Sequence, residues 1–195
     1  TFAEDVYEED LTQYAIEDLM SMEVTSVSKK PQKLSEAAAA ISVITSEEIR
    51  RSGATSLADL LRRVPGLQVA QLDANRWSVT SRIFNEGFPK TLLVLIDGRR
   101  TFSPVFSGVN WDEENLMLED IDRIEVIRGP GAALWGSEAV NGVINVVTKK
   151  AKDTQGSLLS AGGGKEARGF GAYRYGDKIS ENAYYRAYYR YHDND

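Results

Sequence analysis

The stretch whose reading decides the fold is Ile121–Thr148, IDRIEVIRGPGAALWGSEAVNGVINVVT. Two apolar, β-branched runs, Ile124–Ile127 and Val143–Val147, flank a middle that holds Gly129, Gly131, Gly136 and Gly142. The runs are short and alternate poorly, which predicts strands buried on both faces. Between them Gly129-Pro130-Gly131 must turn, because proline fixes φ and glycine admits positive φ. Ala132-Ala133-Leu134-Trp135 fits one helical turn, with Gly136 as its stop. The expected order is strand, glycine corner, short helix, glycine, strand.

That layout invites a phosphate-loop reading, which the residues refuse. A phosphate loop needs glycine, four residues, glycine, lysine, then serine or threonine. Gly131 and Gly136 have the glycine spacing, but Ser137 and Glu138 stand where the lysine and hydroxyl are needed. No ammonium reaches a phosphate there, and Glu138 repels one. The dinucleotide pattern fails too, since Leu134 occupies its third glycine position.

The same residues resemble the end of the plug domain of TonB-dependent outer-membrane receptors. That family reads I-[ED]-R-I-E-V-[IL]-R-G-P, then small residues, an aromatic and glycine, then G-V-I-N-[IV]-[IV]-T-K. Here these are Ile121-Asp122-Arg123-Ile124-Glu125-Val126-Ile127-Arg128-Gly129-Pro130, Trp135-Gly136, and Gly142-Val143-Ile144-Asn145-Val146-Val147-Thr148-Lys149. The resemblance implies an α+β fold: a small mixed-sheet plug with short helices, followed by antiparallel β-barrel strands.

The chain has 195 residues, enough for one ordinary domain plus appendages. It has no cysteine, which excludes disulfides and thiolate metal sites. His192 is its only histidine, so a histidine zinc site or a Ser-His-Asp triad has little to draw on. No metal and no cofactor are expected. No apolar run reaches the ~18 residues of a membrane helix, and no signal peptide is recognised; the resemblance implies that one has been removed. Residues 1–23 carry eight acids (Glu4, Asp5, Glu8, Glu9, Asp10, Glu17, Asp18, Glu23) and no lysine or arginine. Removing that −8 from the total of −6 leaves +2 for residues 24–195. The body is near neutral, so a nucleic-acid surface is not expected.

Residues 1–22 are loosely helical and acidic, which predicts a mobile segment. Glu23-Val24-Thr25-Ser26-Val27-Ser28 is a short alternating, β-capable strip. By resemblance it is the TonB box, whose extended backbone adds as a strand to the C-terminal domain of TonB; its residue pattern alone also fits a plain linker strand. Ile41–Ile44 predicts a strand running into a helix, with Thr45 and Glu48 as a capping box and Gly53 as the stop. Leu57, Leu60, Leu61 and Val64 lie at i, i+3, i+4 and i+7, one buried helical face. SGATSLADLLRRVPGLQV (residues 52–69) extends the family resemblance. Arg62 and Arg63 are expected in solvent.

Leu67–Leu72 and Trp77–Arg82 read as strands around Asp73-Ala74-Asn75. Plugs commonly carry Arg-Gly-Phe after this turn, whereas here Arg82-Ile83-Phe84 lacks the glycine. Leu92–Ile96 is a fully buried strand turned by Asp97-Gly98, a strong hairpin signal. Phe102 to Trp111 reads as a loop with three exposed aromatics, Phe102, Phe106 and Trp111, suited to a ligand or to packing beneath a barrel. After Lys150 the texture changes to tyrosine-rich strands, Gly156–Gly164, Ala167–Tyr175 and Asn182–Tyr191, with turns at Lys165-Glu166 and Gly176-Asp177-Lys178. Tyr185, Ala187, Tyr189 and Tyr191 take one face of the last strand, and Tyr184, Arg186, Tyr188 and Arg190 the other. One face to lipid and one to a polar lumen is the outer-membrane barrel pattern.

The expected organisation is therefore an acidic extension with the TonB box (1–30), a plug (31–150) and the first barrel strands (151–195). By resemblance the parent receptor sits in the Gram-negative outer membrane, plug toward the periplasm. It takes up a scarce bulky nutrient such as an iron–siderophore complex or cobalamin. Ligand contact is expected at Asn75, Arg76, Trp77, Phe84, Asn85, Phe102, Phe106 and Trp111. Arg82 and Arg128 match positions where plug arginines face barrel glutamates, while from the residues alone they equally cap local carbonyls. No catalytic residues are expected. Two rivals remain: a soluble periplasmic binding or interaction module, opposed by the tyrosine strands, and an α/β enzyme, opposed by the failed phosphate loop and the missing nucleophile–base pair.

Overall fold

The computed structural model describes residues 23–24, 32–33, 40–73, 76–82, 92–103, 105, 108–111, 114, 116–129, 135–164 and 167–194. Residues 1–22, Thr25–Ser28, Asn75, Phe84, Asn85, Phe106 and the helical turn expected at Ala132–Leu134 lie outside the described residues.

Two short strands, β1 (Glu23–Val24) and β2 (Gln32–Lys33), pair antiparallel. Strand β3 (Ala40–Thr45) then runs straight into helix α1 (Ser46–Ser52). The junction is a capping box: the Glu48 amide donates to Thr45 Oγ1 at 3.2 Å, and the Thr45 amide donates back to the Glu48 carboxylate at 2.7 Å. Each end thus satisfies a backbone donor that helix geometry leaves free. Gly53 ends α1 at φ 68°. Ser56 caps α2 (Leu57–Leu60), which continues as a 3-10 turn through Arg63. Leu57, Leu60, Leu61 and Val64 are all buried, as the i, i+3, i+4, i+7 spacing requires. Each buried leucine contributes about 1.5–3 kcal/mol.

Strands β4 (Leu67–Gln71) and β5 (Trp77–Ser81) form a hairpin whose turn is held by the Asp73 carboxylate, which accepts from the Arg76 amide at 2.8 Å. Next come β6 (Leu92–Ile96) and β7 (Arg99–Arg100), joined by Asp97-Gly98 with φ 48° and 79°. Positive φ at both central residues suits the right-handed twist of a hairpin. The Asp97 carboxylate also accepts from the Thr148 amide and hydroxyl, both at 2.8 Å. The turn is thereby tied to the end of the strand that lies beside β6 in the sheet.

The expected loop after Phe102 contains a small ladder, β8 (Phe102–Ser103) with β9 (Gly108–Val109). Its outcome corrects one aromatic. Trp111 is only 6% exposed and belongs to the hydrophobic core, because the buried β9 carries the chain inward just before it. Burying a side chain of that size outweighs any gain from leaving it on a loop.

The opening stretch forms β10 (Ile121–Arg128) and β11 (Gly142–Thr148), antiparallel to each other. They are the centre of a five-stranded mixed sheet in the order β3-β10-β11-β6-β7, with β11 and β6 parallel. Ile44, Ile124 and Val146 form one cross-strand row, and Ile41, Ile127 and Val143 another. The first row faces the main core with Leu57, Leu60, Leu61, Val79 and Trp111. The second meets a smaller cluster with Leu93, Leu95, Ala139 and Trp135. Both faces are covered, which is why these strands read as unbroken apolar runs. Glu125, fully buried in β10, is answered by Arg123 Nε at 2.9 Å and Asn145 Nδ2 at 3.5 Å.

A separate antiparallel sheet follows: β12 (Gly156–Gly162), β13 (Ala167–Ser180) and β14 (Ala183–Asn194). The turn expected at Gly176-Asp177-Lys178 is instead strand, and the chain reverses at Glu181-Asn182. Gly176 pairs with Arg186 and Asp177 with Tyr185, so cross-strand pairing overrides the local turn propensity. The outcome is two long strands of 14 and 12 residues.

Candidate functional site

At the N-terminal end, Glu23 stands opposite Lys33 and Val24 opposite Gln32. Val24 has no exposed surface. At these two residues the strip expected to add as a strand already has a ladder partner for its backbone. Two residue pairs make a weak ladder, far short of an independently stable sheet.

The residues expected to meet ligand fare differently. Arg76 is exposed at the β4–β5 tip and donates from Nε to Asp73 at 2.5 Å. Trp77 is half-buried against the core. Arg62 is exposed, as expected, and its guanidinium carbon lies 5.0 Å from the Trp77 ring centroid, a cation–π contact at the surface. Phe102 is half-buried in β8. Trp111 is a core residue, as above.

Arg82 and Arg128 are brought to one corner. Arg82 takes a positive φ of 61° where the family has its usual Arg-Gly step one residue on, and its guanidinium lies against Gly129. Arg128 Nη1 donates to the Pro65 carbonyl at 2.8 Å, while its Nε is buried without a hydrogen bond. In this chain Arg128 thus caps the Pro65 carbonyl, 63 positions away in sequence.

On α1, Arg50 and Arg51 both donate to Glu47, and these bonds hold its carboxyl down at about 2 from 4.5.

One buried polar assembly was not apparent from the sequence. Asp120, ending the 3-10 turn before β10, is buried and ion-paired to Arg174 of β13 and to Arg186 of β14, the latter at 3.4 Å. Arg186 also donates to the Lys149 carbonyl at 3.0 Å. Arg190 reaches the carbonyls of Leu116 at 3.0 Å and Thr55 at 2.6 Å. The alternation that put Arg186 and Arg190 on one face of β14 was the available signal, and that face is the one turned to the mixed-sheet unit.

The family described as TonB-dependent receptor plug domain matches residues 33–143. The vitamin B12 transporter BtuB of Vibrio vulnificus is 38% identical over 146 residues, which is 74% of this chain and 23% of the relative. The siderophore receptor PirA of Acinetobacter baumannii superimposes with a TM-score of 0.57 at 25% identity, over 78% of this chain and 24% of that one. FpvA of Pseudomonas aeruginosa, crystallised with pyoverdines, gives 0.67 at 20% identity over 88% of this chain and 22% of that one, a likeness of fold alone. The chain spans about a quarter of the length of the curated relatives it matches. With the mixed sheet and its motif strands in place, this chain belongs to the TonB-dependent receptor plug-domain family.

Proposed function

We propose that this chain is the plug-bearing N-terminal part of an outer-membrane transporter that takes up a scarce bulky nutrient with energy delivered by TonB. The observation that carries the reading is the seating of the mixed-sheet unit against β13 and β14. These strands turn their arginines inward to Asp120 and present Tyr173, Tyr175, Tyr189 and Tyr191 outward. A plug inside a barrel wall has this arrangement, with a polar lumen face and an aromatic outer face. No step of such transport calls for bond chemistry, and the relatives are transporters and receptors rather than enzymes.

Cobalamin is the first ligand to test, because the relatives at 34–38% identity are vitamin B12 transporters. A ferric siderophore is the second reading, favoured by the siderophore receptors among the structural neighbours. In this reading Glu23–Ser28 is the TonB box, and its two-residue ladder comes apart before TonB takes it up. Arg76, Trp77 and Phe102 contribute to the ligand-facing end with Asn75, Phe84, Asn85 and Phe106. Trp111 supports that end from within the core. Arg82 and Arg128 face wall carboxylates contributed by the remainder of the receptor. The unit boundaries follow the sequence, at about residues 30 and 150.

The test is uptake of labelled cyanocobalamin and of ferric siderophores by cells carrying the complete receptor, with and without a protonophore. Accumulation of one ligand that collapses when the proton gradient is dissipated supports the proposal. Binding of neither class, or uptake indifferent to the gradient, overturns it.

A further inference from the structure

We propose that the inner face of β13 and β14 is a cationic lane that selects net-negative cargo, with Arg174, Arg186 and Arg190 as its specificity-determining residues. The inference rests on the uptake reading above and names the charge class of the nutrient. Of the two ligands considered there, it favours the ferric siderophore.

The register sets Arg174 opposite Tyr188, Arg186 opposite Gly176, and Arg190 opposite Ala172, so the three arginines share the face turned to the plug. Asp177 and Asp193 fall on the other parity, and the described residues of β12–β14 put no carboxylate on the inner face. The plug answers these three charges with one bonded carboxylate. Asp120 pairs with Arg174 and Arg186, whereas Arg190 is held by the carbonyls of Thr55 and Leu116, with Glu119 near it but unbonded. Arg174 is 8% exposed, and its Nε has no hydrogen-bond partner. A guanidinium stays charged in such a setting, and a carbonyl orients it without cancelling the charge.

A gap of about 560 Å³ separates α1 from this wall, with Arg174, Arg190, Ala172 and Phe170 on the wall side. Across it, Ile49 is the one buried residue of α1. The carboxylates on the gap, Glu47, Glu119 and Asp153, all stand outside β12–β14. A bulky solute passing between plug and wall on this side therefore meets wall charge of a single sign. Clefts lined by one sign of charge raise the local concentration of an oppositely charged solute by about 10-fold or more. Arginine and lysine linings mark anion pathways in the same way. A simple tie between plug and wall has no need of that uniformity.

The experiment is gradient-driven uptake by cells carrying the complete receptor. Ferric enterobactin, an anionic tris-catecholate, is the charged probe; an uncharged ferric trihydroxamate and cyanocobalamin are the probes without net charge. Arg186→Gln with Arg190→Gln removes two charges, leaves an amide donor at each position and leaves Arg174 to Asp120. The initial rate for ferric enterobactin should fall on the order of 10-fold, with binding to de-energised cells unchanged. Arg186→Lys with Arg190→Lys should restore the rate, because the lane uses charge rather than fork geometry. If the glutamine pair fails to reach the membrane, Arg190→Gln alone decides, since Arg190 has no bonded carboxylate to strand. Loss of rate with glutamine and recovery with lysine supports the lane. A parent that takes up only the uncharged probes overturns the lane and leaves the uptake reading standing. So do glutamine variants at the parent's rate, a fall in binding that accounts for the lost rate, and lysine variants as slow as the glutamine ones. Uptake of no probe, or uptake indifferent to the gradient, overturns both.

Discussion

Replacing Gly142 with alanine tests the geometry of the deciding stretch most sharply. A Cβ built there lies 2.5 Å from the Ile127 carbonyl oxygen and 3.2 Å from Leu92 Cδ1. Gly142 opens β11 opposite Arg128, so the methyl would push into the β10 backbone rather than into solvent. Overpacking of this kind costs about 1–3 kcal/mol, against roughly 0.5–1 kcal/mol gained by restricting glycine in a strand. The net loss is about 0–2.5 kcal/mol, which for a chain of this size lowers Tm by up to about 10 °C. Gly171→Ala is the control, since a Cβ there meets nothing within 4 Å. It should be neutral or slightly stabilising. Thermal unfolding followed by tryptophan fluorescence, with buried Trp111 as reporter, reads both. A Gly142→Ala melt at or above that of Gly171→Ala would refute the reasoning.

Acid should weaken the start of the fold through Glu47. Its folded carboxyl sits at about 2, below the unfolded 4.5, so its contribution is complete above 4.5 and disappears as the pH falls through about 2; the stability difference between the parent chain and Glu47→Gln in urea should shrink across that window, and a difference independent of pH would contradict it. Arg128→Met in this chain removes one carbonyl hydrogen bond and a buried unpartnered Nε, for a loss of about 1–2 kcal/mol at most. In the complete receptor the same change should cost about 3–5 kcal/mol by stranding a wall carboxylate. Equal, small urea shifts in both would remove the proposed wall partner. Ile144→Ala, in a fully buried position of the central strand, should cost about 2–5 kcal/mol by chemical denaturation, and an effect below 1 kcal/mol would contradict the placement of β11.

What could be read in the sequence was local. The Thr45–Glu48 box, the Asp97-Gly98 turn and the one-sided Leu57–Val64 face each depend on residues within a turn or two. The glycine-flanked runs of β10 and β11 showed burial on both faces because apolar residues filled both parities. What could not be read depends on distant partners. Trp111 looked like a loop aromatic until β9 placed it under the core. Arg62 found Trp77 across the β4 segment, and Val24 found a ladder at Gln32. The extension of β13 through Gly176-Asp177 follows from the partner strand, not from its own residues. Asp120 and Arg174 are 54 positions apart, so no periodicity in either segment announces the pair.

The central claim, that this plug is worked by TonB, is tested most directly by titrating the purified C-terminal domain of TonB into the 195-residue chain in a calorimeter. Strand addition needs the backbone donors of the box, and proline removes one while fixing φ. Saturable binding to the parent chain, abolished by Val24→Pro and by Val27→Pro, is the predicted result. Proline variants that bind as tightly as the parent, or a parent that does not bind at all, would contradict the account.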